Sequence, residues 1–337
     1  MYIAEQEKPK MTTWSPFGRL KQFSCGISRF ASDFSWAYRT AFPAPVTGYD
    51  RRSRFVLRTL MNLQPSAHWF RFLKDSYLSD IAAREPSLIE AIHRPFFDRN
   101  ITATKRAGLL KGHFELFHSI FGPHQTGEVM LGEGVSLCRF AGKSAESFEI
   151  KLFREDAYKR EGGVTLELAL DRVTLLCLTF TLVKAGHEIL IKVGGVQAKG
   201  PDCRNLVRDA THALHGIQPR LLLIEALRAI ANQINCTKIE CISKENHIYQ
   251  SWRYRSKKMI SAEYDQLWLL AGGEENRNGN FDIPNFVDEK PIEARPSKKR
   301  SEYRRRSVLL ESMRQQIHAG LFGRAPVQFQ DVRGATR

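Results

Sequence analysis

Residues 164–196, VTLELALDRVTLLCLTFTLVKAGHEILIKVGGV, form the stretch that decides the predicted fold. Apolar residues occupy alternate positions in VTLELAL, and turn signals at Asp171-Arg172 and at 184–187 separate the three runs. The middle run, VTLLCLTFTLV, is apolar on both faces, which is typical of a central strand. Together with SFEIKLF upstream, the pattern predicts a meander of antiparallel strands joined mostly by short loops.

The segments after this meander predict two helices and a further strand. One helix begins at Pro201 or Asp202 and closes at Gly216, a second begins at Pro219, and KIECIS is a short strand. Upstream of the meander, apolar spacings of three and four between residues 51 and 121 predict helices. We therefore expect an α+β protein with an N-terminal helical region and one curved, mostly antiparallel sheet.

Four regions follow from these patterns. Residues 1–50 are a basic, aromatic segment whose first 15 residues we expect to be loose, and residues 51–125 are the helical region. Residues 126–290 are the α+β core, and residues 291–337 are a basic segment that we expect to fold back on it.

Positive charge is concentrated at the two ends of the chain. The net charge is +15, yet residues 61–290 hold 30 Lys and Arg against 28 Asp and Glu. The densest run, SKKRSEYRRR at 297–306, carries six cations: Lys298, Lys299, Arg300, Arg304, Arg305 and Arg306. Guanidinium groups grip phosphates bidentately, so this run indicates an anionic partner such as a lipid phosphate or another polyanion.

Two other interpretations of the basic run stay open. It is either a solvated tail or a brace in which Arg300, Arg304 and Arg306 pair with carboxylates of the body or face its ligand cleft. The apolar residues that follow Tyr303 favour an ordered segment. No zinc finger, RNP signature or clear helix-turn-helix accompanies the run, so the sequence has no strong nucleic-acid motif.

Candidate site residues are densest between Gly194 and Arg220. Gln197 and Gly200 lie between a strand and a helix start, where free N–H groups suit a phosphate, and Arg204 and Arg208 follow in the first turns of that helix. His212 and His215 are expected on one helix face, and a His beside arginines would stay neutral and serve as a general base. We take His215 and Arg220 as candidate catalytic residues; an ordinary loop and a packed histidine remain the alternatives.

Other potentially reactive residues carry less information. The spacing of His113, His118 and His124 suits metal ligation poorly, so no metal site is predicted. Tyr254, Tyr264-Asp265 and Trp268 are interpreted as packing before a turn. The six cysteines form no CxxC pair, which is typical of free thiols in a reducing compartment.

The chain is expected to lie in the cytoplasm. The N-terminal residues lack the apolar run of a secretory signal, and the longest apolar run, 175–183, is about half of a membrane span. An amphipathic, aromatic helix between Leu20 and Tyr38 leaves two possibilities open: it packs onto the body, or it rests on the inner membrane surface.

The strand-to-helix loop resembles the pyrophosphate-binding element of GNAT-type acyltransferases, Q/R-x-x-G-x-G/A. Residues 197–201 match its first five positions, whereas Asp202 stands where a small residue belongs. This resemblance implies a GNAT-like topology and acyl-CoA as the ligand.

The chain also resembles the VirK/YbjX family through six motifs in a fixed order. They are HRPFFDRN (93–100), REGGVTLEL (160–168), IKVGGVQ (191–197), THALHGIQPRLLL (211–223), YDQLW (264–268) and PSKKRSEYRRR (296–306). Two positions depart from the family pattern: Ala198 replaces a usual Gly and His212 a usual Lys.

The family resemblance implies a virulence-associated factor that supports envelope integrity and resistance to cationic antimicrobial peptides. Its mechanism would be an acyltransferase-like reaction on an envelope component, with the candidate residues above lining the site. The alternative is a non-enzymatic adaptor that binds anionic lipid or nucleic acid through the basic C-terminal motif.

Overall fold

Helices form the N-terminal layer of the molecule. The computed structural model describes residues 16–43, 49–132, 134–199, 203–254, 263–287 and 291–321, so the expectation for residues 1–15 lies outside the described residues. The helices of this layer are α1 (Pro16–Ala41), α2 (Tyr49–Met61), α3 (Leu63–Asp75), α4 (Leu78–Arg84) and α5 (Ala103–Met130), with a 3₁₀ segment at Pro86–His93. The Thr102 side chain accepts a hydrogen bond from the Lys105 N–H and caps α5, and α5 bends at Gly122-Pro123.

An eight-stranded mixed sheet forms the second layer. Its strands are β1 (Val135–Ala141), β2 (Ser147–Phe153), β3 (Val164–Leu170), β4 (Val173–Ala185), β5 (Glu188–Ala198), β6 (Cys236–Cys241), β7 (Glu274–Glu275) and β8 (Phe281–Ile283), in the order β1-β2-β3-β4-β5-β6-β8-β7. Only β5 and β6 pair in parallel. The predicted α+β class and the mostly antiparallel sheet are confirmed.

Four helices connect or follow the strands. Helices α6 (Cys203–Ala213) and α7 (Pro219–Gln233) lie between β5 and β6, α8 (Tyr264–Leu270) precedes β7, and α9 (Ser297–Leu321) follows β8. The basic run therefore forms the first turns of α9. Met313 and Ile317 of that helix are fully buried, and the Arg139 N–H of β1 donates to the Gln316 side chain.

The two layers share one apolar core. Residues 175–182 of the central strand β4 are all buried, as a strand that is apolar on both faces requires. Helix α5 covers this strand: Phe114 and Phe117 are buried, and the Leu182 N–H donates to His113 Nδ1 at 3.1 Å. The four cysteines whose side chains are described, Cys138, Cys177, Cys236 and Cys241, are buried and free.

No helix of the described segments is long and apolar enough to cross a membrane.

Candidate functional site

A polar cluster lies where the REGG and IKVGGVQ segments cross. Arg160–Gly163 runs over β4 and β5, and glycines make the close approach possible: Gly162 lies against the Phe180 backbone of β4, and Gly194 and Gly195 of β5 lie against Glu161. A Cβ on Gly194 would overlap the Glu161 carbonyl oxygen, and one on Gly195 would stand 2.7 Å from Glu161 Oε2. Glycine permits such an approach of one backbone to another. The crossing places the Glu161 carboxyl group in the interior, with no exposed surface.

Side chains from three other segments reach this carboxyl group. Gln197 Nε2 donates to Glu161 Oε1 at 3.3 Å and lies 2.5 Å from Tyr264 Oη. A Cβ built on Gly195 would lie 3.0 Å from Tyr264 Oη and 3.4 Å from His247 Nε2. A carboxylate, a phenol and an imidazole nitrogen thus surround one point. With Tyr249, these residues are the Glu161 cluster: Glu161, Gln197, His247, Tyr249 and Tyr264.

Both phenols of the cluster stay protonated at physiological pH. Burial raises the pKa of Tyr264 well above its ordinary value, the charge of Glu161 adds to the effect, and Arg220 opposes it. Burial also raises the pKa of Tyr249, as do the charge of Glu161 and the hydrogen bond between the two side chains. Tyr249 is therefore a protonated hydrogen-bond partner of the Glu161 carboxylate, and Tyr264 is a protonated phenol whose oxygen accepts from Gln197. The cluster thus holds both an acid and a base, as general acid–base chemistry requires.

Stacked aromatic rings pack against the Glu161 cluster. The His247 ring lies on Tyr264 with centroids 5.1 Å apart, and Tyr264 stacks on Trp268 one helical turn later. Trp268 Nε1 donates to the Ile242 carbonyl at 2.8 Å, which ties α8 to the end of β6. The YDQLW motif therefore packs as predicted, but its first residue also belongs to the polar cluster, which sequence reasoning missed.

Comparison with known proteins identifies the family. The family described as "Protein of unknown function (DUF535)" matches residues 47–319, a range that includes the whole Glu161 cluster. The chain belongs to the DUF535 family. The VirK/YbjX assignment made from the six motifs is thereby confirmed.

Relatives of this DUF535 chain include proteins of Escherichia coli and Haemophilus influenzae. It is 30% identical over 270 residues to "Uncharacterized protein YbjX" of Escherichia coli (strain K12), which covers 79% of this chain and 82% of that protein. An "Uncharacterized protein" of Haemophilus influenzae is 27% identical over 184 residues, or 53% of this chain and 60% of that protein. No solved structure matches the chain.

One predicted site residue, Gln197, belongs to the Glu161 cluster, and a second, Arg220, acts on it through its charge. Gln197 is a member of it, with its amide turned toward Glu161 and Tyr264. Arg220, at the start of α7, is near enough for its charge to lower the pKa of Tyr264. Gly200 lies outside the described residues, and Arg204 and Arg208 are exposed on α6.

His215 is held elsewhere. The prediction that His212 and His215 share a helix face is wrong, because α6 ends at Ala213 and His215 adopts a left-handed backbone conformation with φ of 54°. Its carbonyl accepts a hydrogen bond from Arg306 Nε at 2.5 Å. Burial, followed by the charges of Arg305 and Lys143, lowers the pKa of His215, so its ring is neutral, as expected of a His beside arginines.

The six cations of the basic run divide into two sets. Arg300 donates to the carbonyls of Glu293 and Arg295, while Arg306 pairs with Glu302 of its own helix as well as with His215. These partners are carbonyls and a neighbouring carboxylate, whereas carboxylates of the body had been expected. The second set is exposed: Lys298, Lys299, Arg304 and Arg305.

Within the described ranges, no three His, Cys, Asp or Glu side chains are grouped as a metal site.

Proposed function

We propose that this DUF535 chain is an enzyme that transfers an acyl group, and that the Glu161 cluster supplies its acid–base groups. The observation that carries the proposal is the convergence of Glu161 Oε2, Tyr264 Oη and His247 Nε2 around Gly195. A buried base and a buried acid that are brought together by segments distant in sequence are typical of catalytic sites.

The chemistry of acyl transfer fits these groups. As an acceptor amine or hydroxyl bonds to the acyl carbon of a thioester, a base removes its proton and an acid protonates the thiolate that leaves. Glu161 is the natural base, and Tyr264, whose raised pKa keeps its proton in place, is the natural acid. This assignment moves the catalytic role from His215 to the Glu161 cluster.

The sheet topology supports a GNAT-like arrangement. Strand β5 leads through α6 and α7 to the parallel strand β6, and this is the one parallel pair in the described sheet. The last parallel register pair is Val193 with Cys241, while β5 continues to Ala198 beside β4. The Glu161 cluster lies at the part of β5 that extends past its last pair with β6, at Gly195 and Gln197. Acyl-CoA phosphates would meet the N-terminal turns of α6, where Arg204 and Arg208 are exposed.

The acceptor in this proposal is a component of the bacterial envelope, so that acylation supports resistance to cationic antimicrobial peptides. The family resemblance and the basic surface of the chain support this choice. Deletion of the gene is expected to raise sensitivity to polymyxin-type peptides, and a Glu161→Gln allele should fail to restore resistance. Full restoration by that allele would contradict a catalytic role for Glu161.

The enzyme is tested with acyl-CoA directly. A ligand that binds only the folded state raises Tm, so acyl-CoA should shift the melting curve of the wild type. Glu161→Gln and Tyr264→Phe should keep that shift but lower the rate of thiol release from acyl-CoA by about 100-fold or more. Glu167→Gln, at a half-buried carboxylate of β3, is the matched control. Variants with a lower Tm and an unchanged rate of thiol release would show that the cluster only stabilises the fold.

A non-enzymatic adaptor is the second candidate, and the exposed cations of α9 favour it. The described residues place no carboxylate within ion-pair distance of Lys298, Lys299, Arg304 or Arg305. Arg304→Glu with Arg305→Glu should then weaken binding to anionic vesicles or DNA without unfolding the chain. For DNA, each lost phosphate contact should also flatten the salt dependence by about one unit of slope. An acyl-CoA shift without polyanion binding would exclude the adaptor.

A further inference from the structure

An apolar ridge is exposed at the end of α2. Leu57, Leu60 and Met61 are 57%, 61% and 73% exposed, and Leu63 at the start of α3 is 48% exposed. The spacing of three and four places the first three on one side of the helix, while Phe55 and Thr59 on the opposite side are buried. Contiguous apolar side chains left in water in this way mark an interaction surface.

Cations border this ridge. Helix α2 carries Arg51, Arg52, Arg54 and Arg58; Arg54 pairs with Asp50, and Arg51 pairs with the buried Glu90, as does Arg94. Burial lowers the pKa of Arg58, and the charges of Arg253, Arg94 and Arg54 lower it further, in that order, whereas Glu90 opposes them. Arginines from α2 and from the end of the 3₁₀ segment also meet geometrically, because Arg51 and Arg94 both contact Glu90.

An exposed tryptophan lies in the loop that carries Arg253. Trp252 is 81% exposed and directly precedes Arg253, whose charge acts on Arg58. A tryptophan with its ring in water costs solvation free energy, unless the ring inserts at an interface that is apolar on one side and wet on the other. We name the Leu57 face by its members on α2 and α3, Leu57, Leu60, Met61 and Leu63, with the arginines Arg54, Arg58 and Arg94. The proposal extends this face to Trp252 and Arg253.

We propose that the Leu57 face docks this protein on a bilayer rich in anionic phospholipid. Leucine, methionine and tryptophan side chains enter the boundary between headgroups and acyl chains, while the bordering arginines meet the headgroup phosphates. Charge complementarity selects this occupant, since the cations of the face outnumber its acids and the chain carries +15 overall. The proposal rests on exposure and charge, and it is independent of the chemistry assigned to the Glu161 cluster.

Docking by this face would place the Glu161 cluster beside the bilayer. Arg160 lies over the Tyr254 ring at 4.8 Å, and the Tyr254 ring meets Tyr249 of the cluster at 5.9 Å. One residue, Arg253, separates Tyr254 from the exposed Trp252 along the chain. The loop that carries the interfacial tryptophan thus also supports the polar site.

Vesicle co-sedimentation of the full chain tests the proposal. The wild type should bind vesicles of mixed phosphatidylglycerol and phosphatidylcholine and not vesicles of phosphatidylcholine alone. Leu60→Ser with Met61→Ser should weaken binding about tenfold or more, because apolar carbons no longer leave water, and Trp252→Ser should act in the same direction. Val173→Ser is the control, since Val173 is 52% exposed at the distant β3–β4 turn.

Two results would overturn the assignment. One is that Leu60→Ser with Met61→Ser and Trp252→Ser (the ridge variants) bind vesicles with the affinity of the wild type and have the same Tm as the wild type. The other is loss of vesicle binding in Arg304→Glu with Arg305→Glu while the ridge variants still bind, which would transfer the membrane contact to α9. Failure of the acyl-CoA assay leaves this experiment unaffected, because sedimentation measures no turnover.

Discussion

Glu161 reaches the interior because the β5 residues that face it have no side chains. Gly194 lies against the Glu161 backbone and Gly195 against its carboxyl group. Gly163, two residues after Glu161, leaves room in the same way for the His113 ring. At the scale of single residues, the glycines of the REGG and IKVGGVQ motifs therefore allow close packing around one buried carboxyl group.

Replacement of Gly194 by Ala should destabilise the fold by about 3 kcal/mol or more, since its Cβ would overlap a backbone oxygen that no side-chain rotation can move. Urea denaturation measures the change. Gly108→Ala is the matched control: that glycine lies in α5 with no atom near its Cβ position, so Ala should stabilise by roughly 0.5–1 kcal/mol. Equal effects of the two substitutions would contradict the packing described here.

Two buried histidines should make stability depend on pH. Burial lowers the pKa of His113 to about 3, with a further contribution from Arg154, and burial and the charge of Arg58 lower the pKa of His93 to about 4. In the unfolded chain both titrate near 6.5, so at lower pH the unfolded state binds more protons. The free energy of unfolding is therefore at its full value above pH 6.5 and falls as the pH drops toward 4.

The slope of the free energy of unfolding against pH identifies the histidines that are responsible. Each histidine should contribute about 1.4 kcal/mol per pH unit where the unfolded state is protonated and the folded state is not. Urea denaturation between pH 7 and about 4.5 measures the slope of the free energy of unfolding against pH. His93→Gln should lower that slope by about 1.4 kcal/mol per pH unit, the contribution of one proton. His187→Gln, at an exposed turn, should leave the slope unchanged. A pH-independent free energy of unfolding in the wild type would refute the prediction.

At the scale of elements, α9 divides into a braced end and a packed end. Its basic first turns are tied to the rest of the chain through Arg300 and Arg306, and its later turns bury Leu309, Met313 and Ile317 against β1 and α7. Gly320 allows the last turn to lie against the Leu137 backbone. The same helix thus contributes to the core and presents free cations.

Charge reversal separates these two roles. Arg306→Glu should lower stability by about 1–3 kcal/mol, because the His215 carbonyl loses its donor and Glu302 gains a like charge. Arg305→Glu changes the neighbouring exposed cation and should leave Tm within about a degree of the wild type. Thermal melts followed by circular dichroism compare them. Equal melting temperatures would show that Arg306 does not brace the fold.

At the scale of the whole molecule, the helical layer and the sheet form one cooperative core. A single cluster of buried apolar residues runs from Ala37 in α1 to Leu321 in α9. Trp69 is buried in the helical layer and Trp268 beside the sheet, and both belong to that cluster. Neither layer can lose its packing without exposing the apolar face of the other.

The two layers should therefore unfold together. With Trp14, Trp36 and Trp252 replaced by Phe, Trp69→Phe leaves Trp268 as the fluorescent probe, and Trp268→Phe leaves Trp69. Urea transitions followed by fluorescence in each variant should coincide with the far-ultraviolet circular dichroism of that variant. Separate midpoints for the two probes would instead show that residues 51–125 are an independent unit.

The sequence by itself determined the helical region, the central antiparallel strands, and the two helices and one strand that follow them. Alternation in VTLELAL, the doubly apolar run of β4 and the glycine and proline signals around α6 and α7 are local patterns. They report how one segment buries its own side chains, so the α+β class could be predicted from them. The positions of α9 and of the small strands β7 and β8 could not, since their packing partners lie far away along the chain.

Only the tertiary structure decided the site. Gln197 was chosen from the sequence, but its partners Glu161 and Tyr264 stand 36 and 67 residues away, and the pattern around Tyr264 indicated only packing. His215 was also chosen, yet the end of α6 turns it toward α9. Periodicity encodes the face on which a residue lies, whereas a catalytic geometry depends on which distant faces meet, and only the packing of the whole chain sets that.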